Sequence, residues 1–364
     1  MLRRIAKTCV ACAYTWSRAS YAAGGRDGWA PFIICYHRVV ESFDQSKVSA
    51  IPSMLISSRM LERHLDWIAA RFHMVSLDEV GAHLDSQRLL RKPAAAITFD
   101  DGYSDVFHHA YPLLKKKGIP AAIFVVTGLI ETARVQVFDR LYLTLRLLER
   151  KGLPAAATFA AALRANKFDA SEIERLWFCG DVVFALMTRI LNTFPQEQIE
   201  AALTLLEQCI GMGKEKLAEM MPLTWDMIRK MHRDGITVGS HTVSHRLLPT
   251  EAAETVRSEL IGSKQTLERE TGATVSHFAY PDGRFNLAVI EAVESAGYRF
   301  AYGTCRAQDR RFPRLTIPRK VLWQRSCLNV LGRFSPSIMN CQADGLFDRR
   351  GHCDHDHCGV AGEV

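Results

Sequence analysis

The sequence predicts an α/β fold built on a parallel sheet, and three observations carry that expectation. Seven short, β-rich apolar runs recur along the chain: "FIICYHRV" (32–39), "AAAITFDD" (94–101), "AAIFVVTG" (121–128), "ITVGSHT" (236–242), "SHFAYP" (276–281), "YRFAYGT" (298–304) and "TIPRKVLW" (316–323). They are apolar almost throughout rather than alternating, which suits strands covered on both faces. Helical patterns stand between most of them, and strand–helix alternation of this kind builds either a βα barrel or a doubly wound sheet.

The intervening helices have recognisable ends. "SSRMLERHLDWIAARF" opens on serines and spaces its apolar residues at helical intervals. "SDVFHHAYPLLKKKG" starts at Ser104 and runs out on lysines and Gly118, which suits the helix dipole and a left-handed cap. "TWDMIRKMHRDG" starts at Thr224 and stops at Gly235, and the long helix after Thr250 closes at Gly272. Between 131 and 221 the rhythm breaks. That interval holds helical text without a convincing strand, far more chain than one crossover needs. It reads as a helical insertion, either a lid beside the sheet's mouth or a subdomain serving stability.

Three organisational units follow: an N-terminal segment 1–30, a main domain 31–330 containing the 131–221 insertion, and a polar tail 331–364 expected to be flexible. The first twenty residues carry basic side chains, and Lys7 interrupts what would be a signal peptide's apolar core. They read better as an amphipathic helix with Leu2, Ile5, Cys9, Cys12 and Ala13 near one face, either packed on the domain or lying on a membrane surface. A cytoplasmic or inner-membrane-peripheral location is therefore expected over secretion. No run of 18 apolar residues exists, so no membrane-spanning helix is predicted. The net charge of +7 comes from scattered arginines, and no basic cluster interleaves with aromatics, which argues against a nucleic-acid partner. The ten cysteines form no disulfide framework, and Cys35, inside an apolar run, reads as a buried thiol. The tail's Cys353, His355, His357 and Cys358 are zinc-type ligands crowded into six residues, unlike the separated pairs of a structural site. They are read as adventitious.

Chemistry concentrates at three strand ends: Asp100 and Asp101 before Gly102, His241 and His245 in "SHTVSH", and Tyr280, Pro281 and Asp282 in "YPDGR". C-terminal strand ends form the mouth of a parallel barrel. Two histidines four apart plus one carboxylate make a donor set with open positions, suited to a catalytic divalent metal: Zn²⁺ first, with Fe²⁺, Co²⁺ or Ni²⁺ as alternatives.

In order and context these segments resemble the polysaccharide deacetylases of the NodB-homology family, carbohydrate esterase family four. "TFDDG" (98–102) matches the family's first motif, "HTVSH" (241–245) its second, and "FAYPDGRFN" (278–286) stands where the third belongs. "CYHRV" (35–39) looks like the first-strand signature of a bacterial exopolysaccharide branch. The resemblance runs from 32 to about 323. It implies a distorted (β/α)7 TIM-like barrel with the helical insertion, acting on a carbohydrate bearing an N-acyl amino sugar. It also implies Asp101, His241 and His245 as metal ligands, Asp100 as general base, and a backbone N–H near Asp282 for the oxyanion. Two departures are visible. Ala279 occupies the position where the family places an arginine that orients the base, and Arg319 or Arg284 is the candidate substitute. No histidine follows "TIPRKVLW" as general acid, so His37 is the candidate, the alternative being a buried structural histidine. Tyr280 is read either as a platform for a sugar face or as core. A same-fold deformylase or O-acetyl esterase, and a non-catalytic glycan-binding barrel, are the competing readings.

Overall fold

The computed structural model describes residues 2–20, 31–86, 93–174, 182–211, 220–304 and 308–347. The predicted strands appear as β1 (Phe32–Tyr36), β2 (Ala94–Phe99), β3 (Ala121–Val125), β4 (Thr237–Ser240), β5 (His277–Ala279) and β6 (Phe300–Gly303). The seventh run differs from expectation. It splits into β7 (Ile317–Pro318) and β8 (Lys320–Val321), with only Arg319 between them. β7 pairs with β6 while β8 pairs with β1, so the sheet order β7–β6–β5–β4–β3–β2–β1–β8 brings its two ends together in five residues. All pairings are parallel. The result is a nearly closed barrel ringed by helices, the distorted (β/α)7 type. The first run divides as well: its end, Arg38–Val40, separates from β1 at His37 and forms a parallel ribbon with Leu55–Ser57, which, like His73–Met74 paired with β2, was not foreseen.

Every residue of β2 and of β3 is buried, as expected where a parallel sheet is covered on both faces. The layer of helices includes α1 (Leu2–Ser20), α2 (Ser58–Ala69), α3 (Tyr111–Lys117), and then α4 to α7 in the insertion: Val137–Arg150, Ala155–Ala165, Val182–Thr193 and Gln196–Ile210. After the insertion come α8 (Trp225–Arg233), α9 (Ala253–Thr271), α10 (Leu287–Ser295) and α11 (Pro336–Ala343). The caps behave as the sequence suggests. Ser57 accepts from the Met60 N–H, Thr224 from that of Met227, and Gly118 and Gly272 close their helices in the left-handed conformation. A π-helical turn, Val106–Ala110, precedes α3, and Pro112 at the start of α3 has no N–H to give the regular α-helical bond there.

Among its described residues the regular elements of the insertion are all helices, and Phe159, Leu163, Leu186, Ile190 and Leu203 share a core with Val40, Phe43, Leu55 and Tyr103 outside it. Arg140 on α4 meets Glu207 on α7 through two hydrogen bonds at 3.0 and 2.8 Å. The insertion also touches the barrel mouth. Gln196 donates to the Ser244 carbonyl at 3.1 Å, and Arg284 bonds Asn192, so Arg284 serves the insertion rather than Asp100.

Both termini depart from expectation. The tail is not flexible from 331 onward: α11 buries Ile338, Met339 and Cys341 and packs against α1. α1 does pack on the domain, but through the other face. Ala11 is fully buried, Lys7 donates to the Ser326 carbonyl at 2.8 Å and Tyr14 to Asp344 at 3.1 Å. Ile5, Cys9, Cys12 and Ala13, the face marked by periodicity, point outward. Residues 353–358 lie outside the described residues.

Beneath the mouth sits a buried polar group. The Tyr103 hydroxyl donates to Asp139 at 2.6 Å, and Arg38, 2 % exposed, lies over the Tyr103 ring and donates to Asp105 at 2.8 Å. Asp105 is thus an ion-pair partner of Arg38 and also accepts from the Val39 N–H. Burial raises the Asp139 carboxyl to about 6, opposed by the Arg38 charge and the Tyr103 hydrogen bond. A folded-state value above the unfolded one means that the folded protein holds more protons between pH 4 and 6. The group's contribution to stability therefore falls as pH rises through that window. Asp139→Asn is expected to be the more stable protein above pH 6, by up to about 3 kcal/mol, with the advantage vanishing near pH 4. Urea unfolding of both proteins across this range checks it, and parallel pH profiles would refute it.

Candidate active site

The strand ends make the site by leaving regular backbone. β2 ends at Phe99, and the Asp100 N–H still bonds the Tyr36 carbonyl at 3.0 Å. Asp101 then turns into the left-handed region (φ 73°) with Gly102 following at 74°. This reversal points the two neighbouring carboxylates in different directions. Thr242, His245 and Asp282 are also left-handed, so four of the six non-glycine residues with positive φ among the described residues cluster at this mouth. Such residues cost strain that the surroundings must hold in place.

Those surroundings are identifiable. Glu259 of α9, 7 % exposed, accepts from the Val243 and Ser244 N–H groups at 2.8 Å each and from the Ser244 hydroxyl at 2.6 Å. The Thr242 hydroxyl accepts from the His245 N–H at 2.9 Å. Glu259 therefore clamps the loop carrying His245. Its place in the middle of a helical pattern gives no sequence signal for this role. Glu259→Gln keeps the size but loses the charge, and it is expected to weaken divalent-metal affinity about 10- to 100-fold, as loss of a ligand's supporting partner does. Competition with a chromogenic chelator measures it, and unchanged affinity would assign Glu259 to stability alone.

His241 Nε2 lies 3.6 Å and His245 Nε2 3.3 Å from Asp101 Oδ1. The His241 Nδ1–H donates to the Ala279 carbonyl at 2.7 Å, which leaves Nε2 with its lone pair towards Asp101. Burial lowers His241 to about 4, so its imidazole is neutral, the form a metal ligand needs. Burial opposes the charged form of His245 too, but the Asp101 carboxylate outweighs this and raises it. Asp101 is held below the ordinary carboxylate range by His245 despite burial. Its Oδ2 is buried without a hydrogen-bond partner. One ligand atom from each of Asp101, His241 and His245 lies within 4.8 Å of the others. A buried carboxylate oxygen without a partner, beside two imidazole lone pairs, fits a divalent cation.

Asp100 is organised differently. Arg319 donates to both its oxygens, Nη1 to Oδ1 and Nη2 to Oδ2, each at 2.7 Å. The guanidinium also donates to Thr98 Oγ1 at 3.1 Å and through Nε to the Gly303 carbonyl at 3.4 Å, which accepts the Arg319 backbone N–H as well, at 3.1 Å. The Cys35 thiol, fully buried, donates to Asp100 Oδ2 at 3.3 Å. Burial opposes ionisation of Asp100, but Arg319 overrides it and holds the carboxyl far below its usual range. Arg319, one of the two candidates named for this contact, thus meets Asp100 where Ala279 has no side chain to do so. The function of Cys35 was not foreseen, since an apolar run marks a thiol as core and not as a donor.

Asp100, Asp101, His241, His245, His37 and Asp282 all line one cavity of about 550 Å³ at the barrel mouth. Three predicted site residues do not. Arg319 stands behind Asp100, and Pro281 is buried under the turn. Tyr280 is fully buried, packs on Phe278 and Phe285, and donates to the Leu315 carbonyl at 2.9 Å. Its ring belongs to the core and offers no sugar platform, because the strand alternation turns it away from the mouth.

A model of the family described as "Polysaccharide deacetylase" matches residues 88–160 and 180–301, over half of the chain. The chain belongs to this family. Among curated proteins, "Putative polysaccharide deacetylase YxkH" of Bacillus subtilis (strain 168) is 20% identical over 258 residues, covering 71% of this chain and 61% of that protein. The match therefore spans less than two thirds of this relative. Among solved structures, the Streptococcus pyogenes deacetylase PplD in complex with acetate aligns with a TM-score of 0.56 at 17% identity, covering 87% of this chain and 99% of that one. IcaB from Ammonifex degensii aligns with a TM-score of 0.50 at 18% identity, over 82% and 92%. BC0361, a polysaccharide deacetylase from Bacillus cereus, aligns at 0.51 and 16% identity, over 86% and 68%. At these identities the likeness is one of fold, and the two ends of the deacetylase family match enclose both His-Asp segments of the mouth.

Proposed function

We propose that the protein is a divalent-metal-dependent hydrolase that removes an N-acetyl group from an amino sugar. The observation that carries this reading is the pairing of two differently organised carboxylates. Asp101 has a free buried oxygen among two histidines, and beside it stands Asp100 with both oxygens fixed by Arg319. Asp101, His241 and His245 would hold the ion, with zinc first and cobalt, nickel or iron as alternatives. When bound, such an ion lowers the pKa of a water and polarises a carbonyl.

The chain's own residues account for the rest. Asp100, kept ionised and oriented by Arg319, accepts a proton from the attacking water, whose oxygen bonds to the amide carbon. The backbone at Asp282 lines the cavity where the resulting oxyanion can be met by an N–H. His37, on the same cavity wall as Asp100, delivers a proton to the departing nitrogen as the C–N bond breaks. The products are a carboxylate and a free amino sugar. The glycan-binding alternative rested on the missing motif-three arginine and the unassigned general acid; Arg319 against Asp100 speaks against the first, and His37 is the proposal for the second.

Asp100→Asn is expected to lower kcat for acetate release from chitotetraose by about 10²–10⁴-fold while retaining bound metal. Stoichiometric metal without acetate release by the parent protein, on several acyl sugars, would favour the binding reading instead.

A further inference from the structure

Helix α6 is apolar on two faces. Val183, Leu186 and Ile190 are buried in the core of the insertion. Phe184 and Leu191 fall on another face and, with Met187 of that core between the two faces, line the same cavity as the proposed metal ligands. Phe184 is 41 % exposed. A soluble helix ordinarily turns its second face to water with polar side chains, and an apolar one there marks a surface for an apolar ligand. Ile51, Leu247 and Trp323, outside α6, also line the cavity, so its apolar lining is not confined to that helix. Polar residues nearby have other work: Gln196 and Asn192 tie the insertion to the Ser244 carbonyl and to Arg284. The slot is continuous with the metal-ligand end. Phe138, at the foot of the insertion, has its ring 4.9 Å from that of His245.

From this geometry we propose that the substrate is an amino sugar carrying a lipid aglycone, whose alkyl chain lies along the α6 face while the amide reaches Asp101 and the two histidines. The inference rests on the deacetylase reading and selects, among its substrates, a lipid-linked sugar over a soluble polymer. A wall of this kind rewards chain length: each methylene removed from water is worth roughly fourfold in affinity.

The test uses the zinc-reconstituted full chain with methyl, butyl and octyl glycosides of N-acetylglucosamine, kept below their micelle-forming concentrations, and with chitotetraose. Octyl is expected to have a KM about tenfold or more below methyl. Phe184→Glu and Leu191→Asn are expected to flatten the dependence on chain length. Equal KM across the glycosides, or chitotetraose as the best substrate, would overturn the proposal. So would a gain that follows the length of the N-acyl group instead of the aglycone. If no acid is released from any sugar, the deacetylase reading fails by itself. The lipid site is then judged by calorimetry of the same glycosides on Asp100→Asn: affinity that rises with aglycone length, and loses that rise in Phe184→Glu, upholds it, and a flat series sinks it.

Discussion

Arg319→Met is expected to lower kcat by about a hundredfold or more, since a displaced catalytic group costs that much even for a shift near 1 Å. The same substitution removes both charged contacts from a carboxylate that is 2 % exposed. Breaking a buried pair from one side typically destabilises by about 3–5 kcal/mol, because the remaining charge stays out of water. Two measurements separate these effects. Adding Asp100→Asn to Arg319→Met removes the stranded charge, so most of the lost stability should return in urea unfolding, with activity still absent. Arg319→Lys should keep part of the stability and little of the rate, as an ammonium cannot match the two-point contact. Full activity in Arg319→Lys would show that charge alone, without orientation, is what Asp100 needs.

Asp101→Asn is expected to have the second large effect, on metal retention. The carboxylate supplies the negative charge of the three-residue set, and its unpartnered Oδ2 is the atom with the most to gain from a cation. In the parent protein, zinc at a hundred times its Kd should add about 2.7 kcal/mol of stability, visible as a rise in Tm of several degrees over the chelator-treated sample. Asp101→Asn should show neither that rise nor stoichiometric zinc by atomic absorption. An undiminished rise in the variant would place the ion elsewhere, with Cys353, His355, His357 and Cys358 the first residues to examine.

The barrel was legible because buried parallel strands write themselves as short apolar runs, and five of the seven runs became single strands, the first and the last each dividing in two. The cluster of Asp101, His241 and His245 was legible because these residues follow those runs directly, where a strand end must expose whatever comes next. What escaped depended on contacts remote in sequence. Glu259 reaches back 15 and 16 residues to two N–H groups, and a glutamate in a helix carries no mark of that. Cys35 lies 65 residues from the carboxylate to which it donates. The apolar face of α1 was read as packed on the domain or lying on a membrane, and of these the packing is made by a different face. In the structure its packing uses Ala11, which is small enough for close approach, and the long polar arms of Lys7 and Tyr14. Tyr280 was ambiguous for a simpler reason, as an aromatic at a strand end satisfies both a sugar and a core until its direction is known.

The interruption of the last strand has a consequence for how activity is acquired. Arg319 sits between the two residues that pair with β6 and the two that pair with β1, so the stitch that closes the barrel is also the peptide that delivers the guanidinium to Asp100. A chain that has assembled everything up to Gly303 already possesses both histidines and both aspartates, yet its base has no anchor. Competence therefore arrives with the final stitch, and hydrolysis becomes a report that the seam has shut. Loosening that seam, by truncation or by strain on Pro318, should silence the enzyme abruptly while leaving its ion in place.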